Sequence, residues 1–293
     1  MIGRLLGSYL VKEGKLTQSQ LDTVYETMQK VRVKLGIIAI SEKMMTAEQT
    51  DEVNRLQAIM DKRFGDIAVE KGYLTSEQVS RLLGMQGNQY LSFVQSAVDN
   101  EFLTVKEIED ALAAYQKENG FTSSDMEALK SGESDRIVPL FLPQNMVEYQ
   151  TEHILICIRT LIRLIDSDIY VEKGSFTDYL DADYFSMQSL DGDNKASLAF
   201  TAEGKGILGL ADAFAGENFD VVDEDSLDSV AEFINCVNGL FATNVNNRFS
   251  IDMLPPEYKA SSVKFTGKLL VLPVYVKGNK INLVSTFGDF IIK

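Results

Sequence analysis

The chain has 293 residues, of which 45% are hydrophobic and 24% are charged, a composition that excludes a disordered protein and leaves room for about two globular domains. Its net charge is −15 at pH 7, with 15 basic and 19 acidic side chains up to Gly132 and 13 basic and 24 acidic side chains after it. The acidic second part would repel phosphate backbones, which argues against nucleic-acid binding and favours a partner with a basic docking face.

The sequence predicts neither an export signal nor a membrane span. Lysine and glutamate interrupt the apolar run of residues 1–14, and the most apolar segment, residues 154–165, is too short to cross a bilayer and carries two arginines. Cys157 and Cys236 lie on predicted apolar helix faces without metal-ligand spacing, so we expect two buried, reduced thiols. These features predict a cytoplasmic protein without a membrane partner.

The first part of the chain contains a fourfold repeat. Threonines recur at intervals of 29 residues, at Thr17, Thr46, Thr75 and Thr104, and a fixed period of this size predicts stacked supersecondary units. A glutamine or glutamate follows each threonine at the third helical position, so each threonine is expected to open a helix with a capping box. We therefore predict an all-α domain of helical repeats over residues 1–120.

Each repeat is predicted to be a helix, a tight turn and a capped helix. Gly14 and Gly72 lie where the first helix of repeats one and three would end, in the left-handed conformation that glycine adopts without strain. Lys43 and Glu101 replace this glycine in repeats two and four. The array therefore has the pattern of a doubled pair of unequal units.

The repeats resemble the N-terminal domain of type II secretion and pilus assembly ATPases, the MshEN type, whose repeats begin Arg-Leu-Gly and end in glutamine. Repeat three matches best, from Arg63-Phe64-Gly65 to Gln86, and repeat two begins Lys34-Leu35-Gly36. The resemblance implies cyclic di-GMP binding, in which Lys34, Gly36, Arg63 and Gly65 would contact the nucleotide through cationic side chains and glycine backbone. Protein docking and simple scaffolding are the alternatives for this domain.

Glycine, serine and proline interrupt the periodicity over residues 121–143, which predicts an inter-domain linker followed by a second domain over residues 144–293. The second domain is predicted to begin with a long apolar helix, Gln144 to Asp166, in which His153 is a packing residue. Strand-like runs follow at 168–172, 184–190, 195–201, 250–254, 268–276 and 280–287. The pattern favours an α/β domain with a largely antiparallel sheet covered on one face by two long helices.

The second long helix, predicted from Asp225 to Phe249, is the most informative segment of the chain. Asp225 or Ser226 could cap its first turn. Its apolar positions fall on one side of the helix, at Leu227, Val230, Ala231, Ile234, Val237 and Phe241. Asp228, Glu232, Asn235 and Gly239 fall together on the opposite side, where they form a polar stripe.

This helix, with its Asp-x-x-x-Glu-x-x-Asn-x-x-x-Gly pattern, resembles the signature helix of the CheC/CheX family of chemotaxis phosphatases, and the similarity extends over roughly residues 140–293. The resemblance implies hydrolysis of the aspartyl phosphate on a phosphorylated CheY-like receiver. Asn235 would orient the attacking water, Glu232 would engage the receiver's active-site lysine, and Asp228 and Gly239 would contact the partner. The first long helix lacks a second Glu-x-x-Asn, so one site is expected, as in CheX.

Further expectations follow from the same resemblance. The receiver would bring its own Mg²⁺, so this chain would need no cofactor or metal site, and a homodimer of the CheX kind is a further expectation. Two other functions stay open from the sequence: a module that docks a receiver without hydrolysing its phosphate, and an adaptor regulated by cyclic di-GMP through the repeats.

Overall fold

The computed structural model describes residues 1–288 and 290–292, and the chain divides into two compact units, Ile2–Gly132 and a second unit that begins at Glu133. The first unit is helical throughout. Its helices are α1 (Ile2–Lys12), α2 (Gln18–Met28), α3 (Leu35–Ser41), α4 (Ala47–Gln57), α5 (Phe64–Glu70), α6 (Ser76–Gly84), α7 (Gln89–Asp99), α8 (Val105–Asn119) and α9 (Ser123–Ser131).

The four predicted capping boxes are confirmed. The side chains of Thr17, Thr46, Thr75 and Thr104 each accept a hydrogen bond of 3.2 Å from the backbone N–H three residues later. In return, the side chain of that third residue accepts from the backbone N–H of the threonine at 2.7 to 2.9 Å. Each box satisfies two donors that a helix N-terminus would otherwise leave without a partner.

The turns that precede these boxes share one backbone geometry although they do not share one residue. Gly14 and Gly72 have φ angles of 67° and 71°, and Lys43 and Glu101 have φ angles of 55° and 58°. A residue with a Cβ atom pays about 1 kcal/mol or more for this left-handed conformation, whereas glycine does not. Repeats two and four therefore hold a strained residue where repeats one and three hold a relaxed one.

Residues 121–143, the predicted inter-domain linker, are largely helical. They contain α9, a short helix α10 (Ser134–Ile137) and a 3₁₀ turn (Val138–Phe141). Thr122 and Asp125 form a further capping box at the start of α9, and Gly120 and Gly132 end α8 and α9 in left-handed conformations. Gly120, Thr122 and Gly132, which are among the residues that suggested a linker, are helix caps. The boundary between the two units falls after Gly132, inside the predicted range.

The second unit contains a long helix α11 (Glu148–Leu164) and one antiparallel sheet. The strands are β1 (Tyr170–Val171), β2 (Ser175–Ala182), β3 (Phe185–Gly192), β4 (Ala196–Thr201), β5 (Ile251–Met253), β6 (Glu257–Lys259), β7 (Val263–Val276), β8 (Asn279–Phe287) and β9 (Ile291–Ile292). Helices α12 (Leu208–Ala215) and α13 (Glu224–Val245) connect β4 to β5. The central strand order is β1-β7-β8-β4-β3-β5, with β2 and β9 paired to β7 and β6 paired to β3.

The sequence analysis did not predict β2, β6, β9 or α12. Strand β2 carries mostly exposed or half-buried residues, so it lacks the apolar run that marks a strand in the interior of a sheet. Strands β6 and β9 are only three and two residues long. Elements of this kind form because neighbouring strands pair with them, and such pairing leaves little trace in the local sequence.

The two faces of the sheet pack differently. On one face, α13 lies against β3 and β4, and α11 lies against α13; the Phe233 ring, for example, lies 6.0 Å from the ring of Phe200. On the other face, Met187, Ala199 and Val284 form a second core with Phe265 and other residues of β7. Side chains alternate along a strand, so the residues of β3 that meet α13 are the even-numbered ones.

His153 is a buried packing residue, as predicted. Its side chain is fully buried on α11, its ring stacks on Phe241 of α13 at 4.2 Å, and its Nε2 lies 2.8 Å from Oδ1 of Asn238. Burial lowers the pKa of His153 to about 4, against the weaker raising effect of the hydrogen bond to Asn238. The imidazole is therefore neutral near pH 7.

We expect the second unit to lose stability as the pH falls from 6.5 towards 4. In that range the unfolded chain, with an ordinary His153 pKa of 6.5, binds a proton that the folded chain does not bind. Neutral His153 contributes about 3 kcal/mol to the free energy of unfolding above pH 6.5, and this contribution is lost as the pH falls through 4. Hydrogen–deuterium exchange of peptides from α11 and α13 across this range, with the non-titrating variant His153→Gln as control, measures it. An identical pH dependence in parent and variant would contradict the assignment to His153.

We also expect Lys43→Gly and Glu101→Gly to raise the free energy of unfolding of the first unit by about 0.5 to 1 kcal/mol each, because glycine removes the strain of the left-handed turn. The matched controls are Gly14→Ala and Gly72→Ala, which introduce the same strain and should destabilise by about 1 kcal/mol. Chemical denaturation followed by circular dichroism measures both sets. Destabilisation by the two glycine substitutions would contradict the strain argument.

Candidate functional site

The candidate site lies on α13, and this helix begins differently from its predicted start. The N-cap is Asp223, not Asp225 or Ser226: the Asp223 carboxylate accepts from the Ser226 backbone N–H at 3.0 Å, and the Ser226 hydroxyl accepts from the Asp223 backbone N–H at 2.9 Å. The bond from Ser226 holds the pKa of the Asp223 carboxyl below its ordinary value. Asp223, Glu224 and Asp225 thus lie at the positive end of the helix dipole.

The two predicted faces of α13 are confirmed. All six predicted apolar positions are buried: Leu227, Val230, Ala231, Ile234, Val237 and Phe241. On the opposite side, Asp228 and Glu232 are exposed and Asn235 and Gly239 are half-buried. The Asn235 side-chain nitrogen lies 3.5 Å from a carboxylate oxygen of Glu232, and a Cβ atom at Gly239 would meet no neighbouring atom within 4 Å. The stripe is therefore accessible along its whole length.

The prediction that both cysteines are buried is wrong for Cys236. Cys157 is buried, and burial raises the pKa of its thiol, whereas Cys236 is exposed. At 100° per residue, position 236 follows Glu232 by one turn and falls on the solvent side of the helix. Its apolar character therefore said nothing about the face it occupies.

A chain of buried amides holds Asn235 from beneath. Gln188 of β3 donates from its side-chain nitrogen to Oδ1 of Asn235 at 2.9 Å and to the backbone carbonyl of Leu254 at 2.9 Å. The Gln188 oxygen accepts from the side-chain nitrogen of Asn238 at 2.9 Å. Asn238 in turn meets His153. Gln188, Asn238 and His153 are all buried, so the half-buried carboxamide of Asn235 is hydrogen-bonded to a polar network that joins α11, β3 and α13.

The sequence analysis missed Gln188 and Asn238. Gln188 sits in a strand of otherwise apolar and small residues, where a long carboxamide would need a buried partner. Asn238 lies one turn beyond Ile234 on the buried side of α13. In both cases the available signal was a polar residue at a position that the strand or helix pattern assigns to the core.

The edge of the site carries an acidic and partly apolar rim. The pKa of Tyr258, a residue of β6, is raised chiefly by the negative charge of Asp228. Leu240, Met253 and Leu254 are exposed apolar side chains on α13 and on the β5 segment. A surface with carboxylates beside exposed apolar groups is typical of a protein-binding site.

The chemistry available at this site is positioning and hydrogen bonding. The single histidine of the sequence is buried and neutral, and Cys157 is buried with a raised pKa, so neither can act as a nucleophile or a general base at the surface of α13. The Cys236 thiol is exposed on α13, but the only histidine of the sequence is buried and cannot serve as its general base. In the part of the chain that the structure describes, no group of three or more His, Cys, Asp or Glu side chains is placed to hold a metal ion.

Of the four residues proposed for nucleotide binding, Arg63 and Gly65 line a cleft directly, whereas Lys34 and Gly36 flank Leu35, which also lines it. This cleft of the first unit has a volume of about 540 Å³ and is also lined by Arg32 and Gln86. The Lys34 ammonium instead pairs with Asp99 at 2.8 Å. Gly36 packs closely against side chains of Thr50 and Phe64. Only the repeat-three half of the predicted set therefore faces the cleft.

Among the described residues, no helix is both long enough and apolar enough to cross a bilayer.

Comparisons with known proteins concern the second unit. Residues 184–264 match the model of the family described as chemotaxis phosphatase CheX. This segment includes β3, with Gln188, and the whole of α13, with Glu232 and Asn235. Among proteins of curated function, none matches the sequence.

Several solved structures match about half of this chain at low identity. A CheC-like superfamily protein from Shewanella sp. PV-4 is 17% identical and is matched over 49% of this chain and 99% of its own, with a TM-score of 0.42. The chemotaxis protein CheX from Desulfovibrio desulfuricans is 12% identical over 48% of this chain and 100% of its own, with a TM-score of 0.40. One chain of the CheX–CheY–BeF₃–Mg²⁺ complex from Borrelia burgdorferi is 18% identical and is matched over 50% of this chain and 99% of its own, with a TM-score of 0.39. The second unit thus contains a segment that matches the CheX family, and the polar stripe of α13 lies within that segment.

Proposed function

We propose that the second unit accelerates hydrolysis of the aspartyl phosphate on a phosphorylated, CheY-like receiver domain. The observation that carries the proposal is the Asn235 carboxamide, which is presented beside Glu232 at an accessible helix face and is held from beneath by Gln188. This pair lies in the segment that matches the chemotaxis phosphatase CheX family.

The geometry suits this reaction because an aspartyl phosphate has a good leaving group and needs little acid–base help. Its barrier falls mainly when the attacking water and the phosphoryl group are aligned. A carboxamide can donate to a phosphoryl oxygen or to a water and can accept from a water, so Asn235 can hold the water in line. The receiver would supply the Mg²⁺ that neutralises charge on the phosphoryl oxygens.

The remaining residues of the stripe would dock the receiver. Glu232 is exposed and would pair with the receiver's active-site lysine, and Asp228 adds a second carboxylate one turn earlier. Gly239 leaves open space at the end of the stripe, where a receiver loop could approach. The excess of acid in the second part of the chain would steer a basic docking face towards this surface.

A second candidate function belongs to the first unit. Arg32 and Arg63 are among the residues that line the 540 Å³ cleft, together with Gly65, Asp66 and Gln86. Arginine side chains and glycine backbone are suited to a phosphodiester ligand. We propose that this cleft binds cyclic di-GMP through the repeat-three residues, with Lys34 and Gly36 in supporting roles only.

We expect Asn235→Ala to abolish the acceleration of receiver dephosphorylation, by about 100-fold or more, because the substitution removes the group that aligns the water. The measurement is the decay of an Mg²⁺-bound, phosphorylated CheY-type receiver from the same cell, with and without the full chain. The matched control is Asn246→Ala, which removes an exposed carboxamide at the C-terminal end of the same helix.

Three outcomes decide between the proposals for the second unit. Faster decay with the parent and with Asn246→Ala, but not with Asn235→Ala, supports the phosphatase. Binding of the phosphorylated receiver without any change in its decay would replace the phosphatase with a docking module. Equal acceleration by Asn235→Ala and parent would place the chemistry elsewhere.

For the first unit, we expect Arg63→Ala to weaken cyclic di-GMP binding by about 10- to 100-fold, the loss that follows removal of one charged hydrogen-bond donor. Isothermal titration calorimetry on the full chain measures this, with the exposed residue Arg55 of α4 as control in the variant Arg55→Ala. If the parent binds no nucleotide, the cleft has another role. Equal losses in both variants would indicate general charge attraction only.

A further inference from the structure

We infer that Gln188, Asn238 and His153 are positioning residues that fix the direction in which the Asn235 carboxamide faces. The inference rests on the proposed function of Asn235 and adds to it Asn238 of the same helix, Gln188 of β3 and His153 of α11. It follows from which side-chain and backbone atoms of this hydrogen-bond network can donate a hydrogen bond and which can only accept one.

The backbone carbonyl of Leu254 fixes the orientation of the Gln188 side-chain amide. A carbonyl oxygen can only accept, so the Gln188 side-chain atom 2.9 Å from it must be the nitrogen. The same Gln188 nitrogen lies 2.9 Å from Asn235. Because this nitrogen donates, the Asn235 atom that faces it must be the oxygen. The NH₂ group of Asn235 is thereby turned towards Glu232 and the open surface.

The hydrogen bonds at the buried end of this network have the same donor-to-acceptor order. With its nitrogen committed, Gln188 faces Asn238 with its oxygen, so Asn238 must donate from its nitrogen at 2.9 Å. The Asn238 oxygen then faces the imidazole at 2.8 Å, and Nε2 of His153 must carry a proton and donate to it. Along the series from His153 to Asn235, each residue therefore donates to the next, from α11 towards the surface of α13.

Reversal of any one amide in this network would cost free energy, because the network is shielded from solvent. His153 and Asn238 have no exposed surface, and Gln188 is 2% exposed. A flipped amide would bring two oxygens or two NH₂ groups face to face, and the loss of a buried hydrogen bond exceeds the gain from making one in water. Asn235 is itself half-buried, so without Gln188 its amide could rotate and present either end to a partner.

The consequence for the reaction is a defined hydrogen-bond donor at the site. The Asn235 oxygen already accepts from Gln188, and one lone pair is left for a water, while the NH₂ group faces outward with Glu232. A phosphoryl oxygen approaching this surface would therefore meet N–H groups and not a carbonyl oxygen. The buried amides should affect catalysis through this orientation and not through contact with the receiver.

The test uses Gln188→Met in the full chain, because methionine matches the length of glutamine and removes its donors and acceptor. The matched control is Ser186→Ala. Ser186 is buried on the same side of β3, and its hydroxyl donates to the Leu227 carbonyl of α13 at 2.7 Å without touching Asn235. Both variants remove a buried bond between β3 and α13, so a general loss of stability should appear in both.

We expect Gln188→Met to lower kcat for receiver dephosphorylation about tenfold or more with KM changed less than twofold, since misalignment affects the reaction and not the docking. Ser186→Ala should leave kcat unchanged. The second readout needs no activity: in ¹H–¹⁵N spectra the Asn235 side-chain NH₂ signals, assigned with Asn235→Ala, should shift in Gln188→Met and not in Ser186→Ala.

The outcomes separate this inference from the proposed function. If Asn235→Ala is inactive and Gln188→Met keeps the parental kcat, the positioning role is overturned and the phosphatase stands. If the parent does not accelerate decay, the phosphatase fails, and the NH₂ signals alone decide whether Gln188 orients Asn235. Unchanged NH₂ signals in Gln188→Met overturn the inference in either case.

Discussion

The candidate site depends on one constraint: the buried carboxamide of Gln188 must be paired. Gln188 carries a carboxamide into the interface between the sheet and α13, and each of its hydrogen-bonding atoms needs a partner there. The partners come from α13 and from the chain near Leu254, and Asn238 passes the requirement on to His153 of α11. The relative placement of two helices and a strand is thus specified by direction-dependent bonds as well as by apolar packing, which is less selective.

The elements that local physics determines were predictable from the sequence. The capping boxes at Thr17 and its three counterparts need only residues within one helical turn, and the buried face of α13 needs only the helical period. The helices within the predicted linker were not predicted because Thr122 and Gly132 are helix caps, and caps and linkers use the same residue types. Strands β2 and β6 were missed because partners distant in sequence stabilise them.

The candidate site divides in the same way. Glu232 and Asn235 could be proposed from the sequence because their spacing and the family resemblance lie within one helix. Gln188 could not be assigned a role, because 47 residues separate it from Asn235 and only the fold brings them together. Cys236 was misplaced for a related reason: its side chain suits either face of a helix, so its position on the helix decides its exposure and its residue type does not.

The exposure of Cys236 offers practical access to the candidate site. The only other thiol, Cys157, is buried and has a raised pKa, which protects it from alkylation. A maleimide dye added to the native protein would therefore attach at one position, next in sequence to Asn235 and one turn from Glu232. Since the chain has no tryptophan, that dye would report on the arrival of a docking partner without background from the protein's own indole emission.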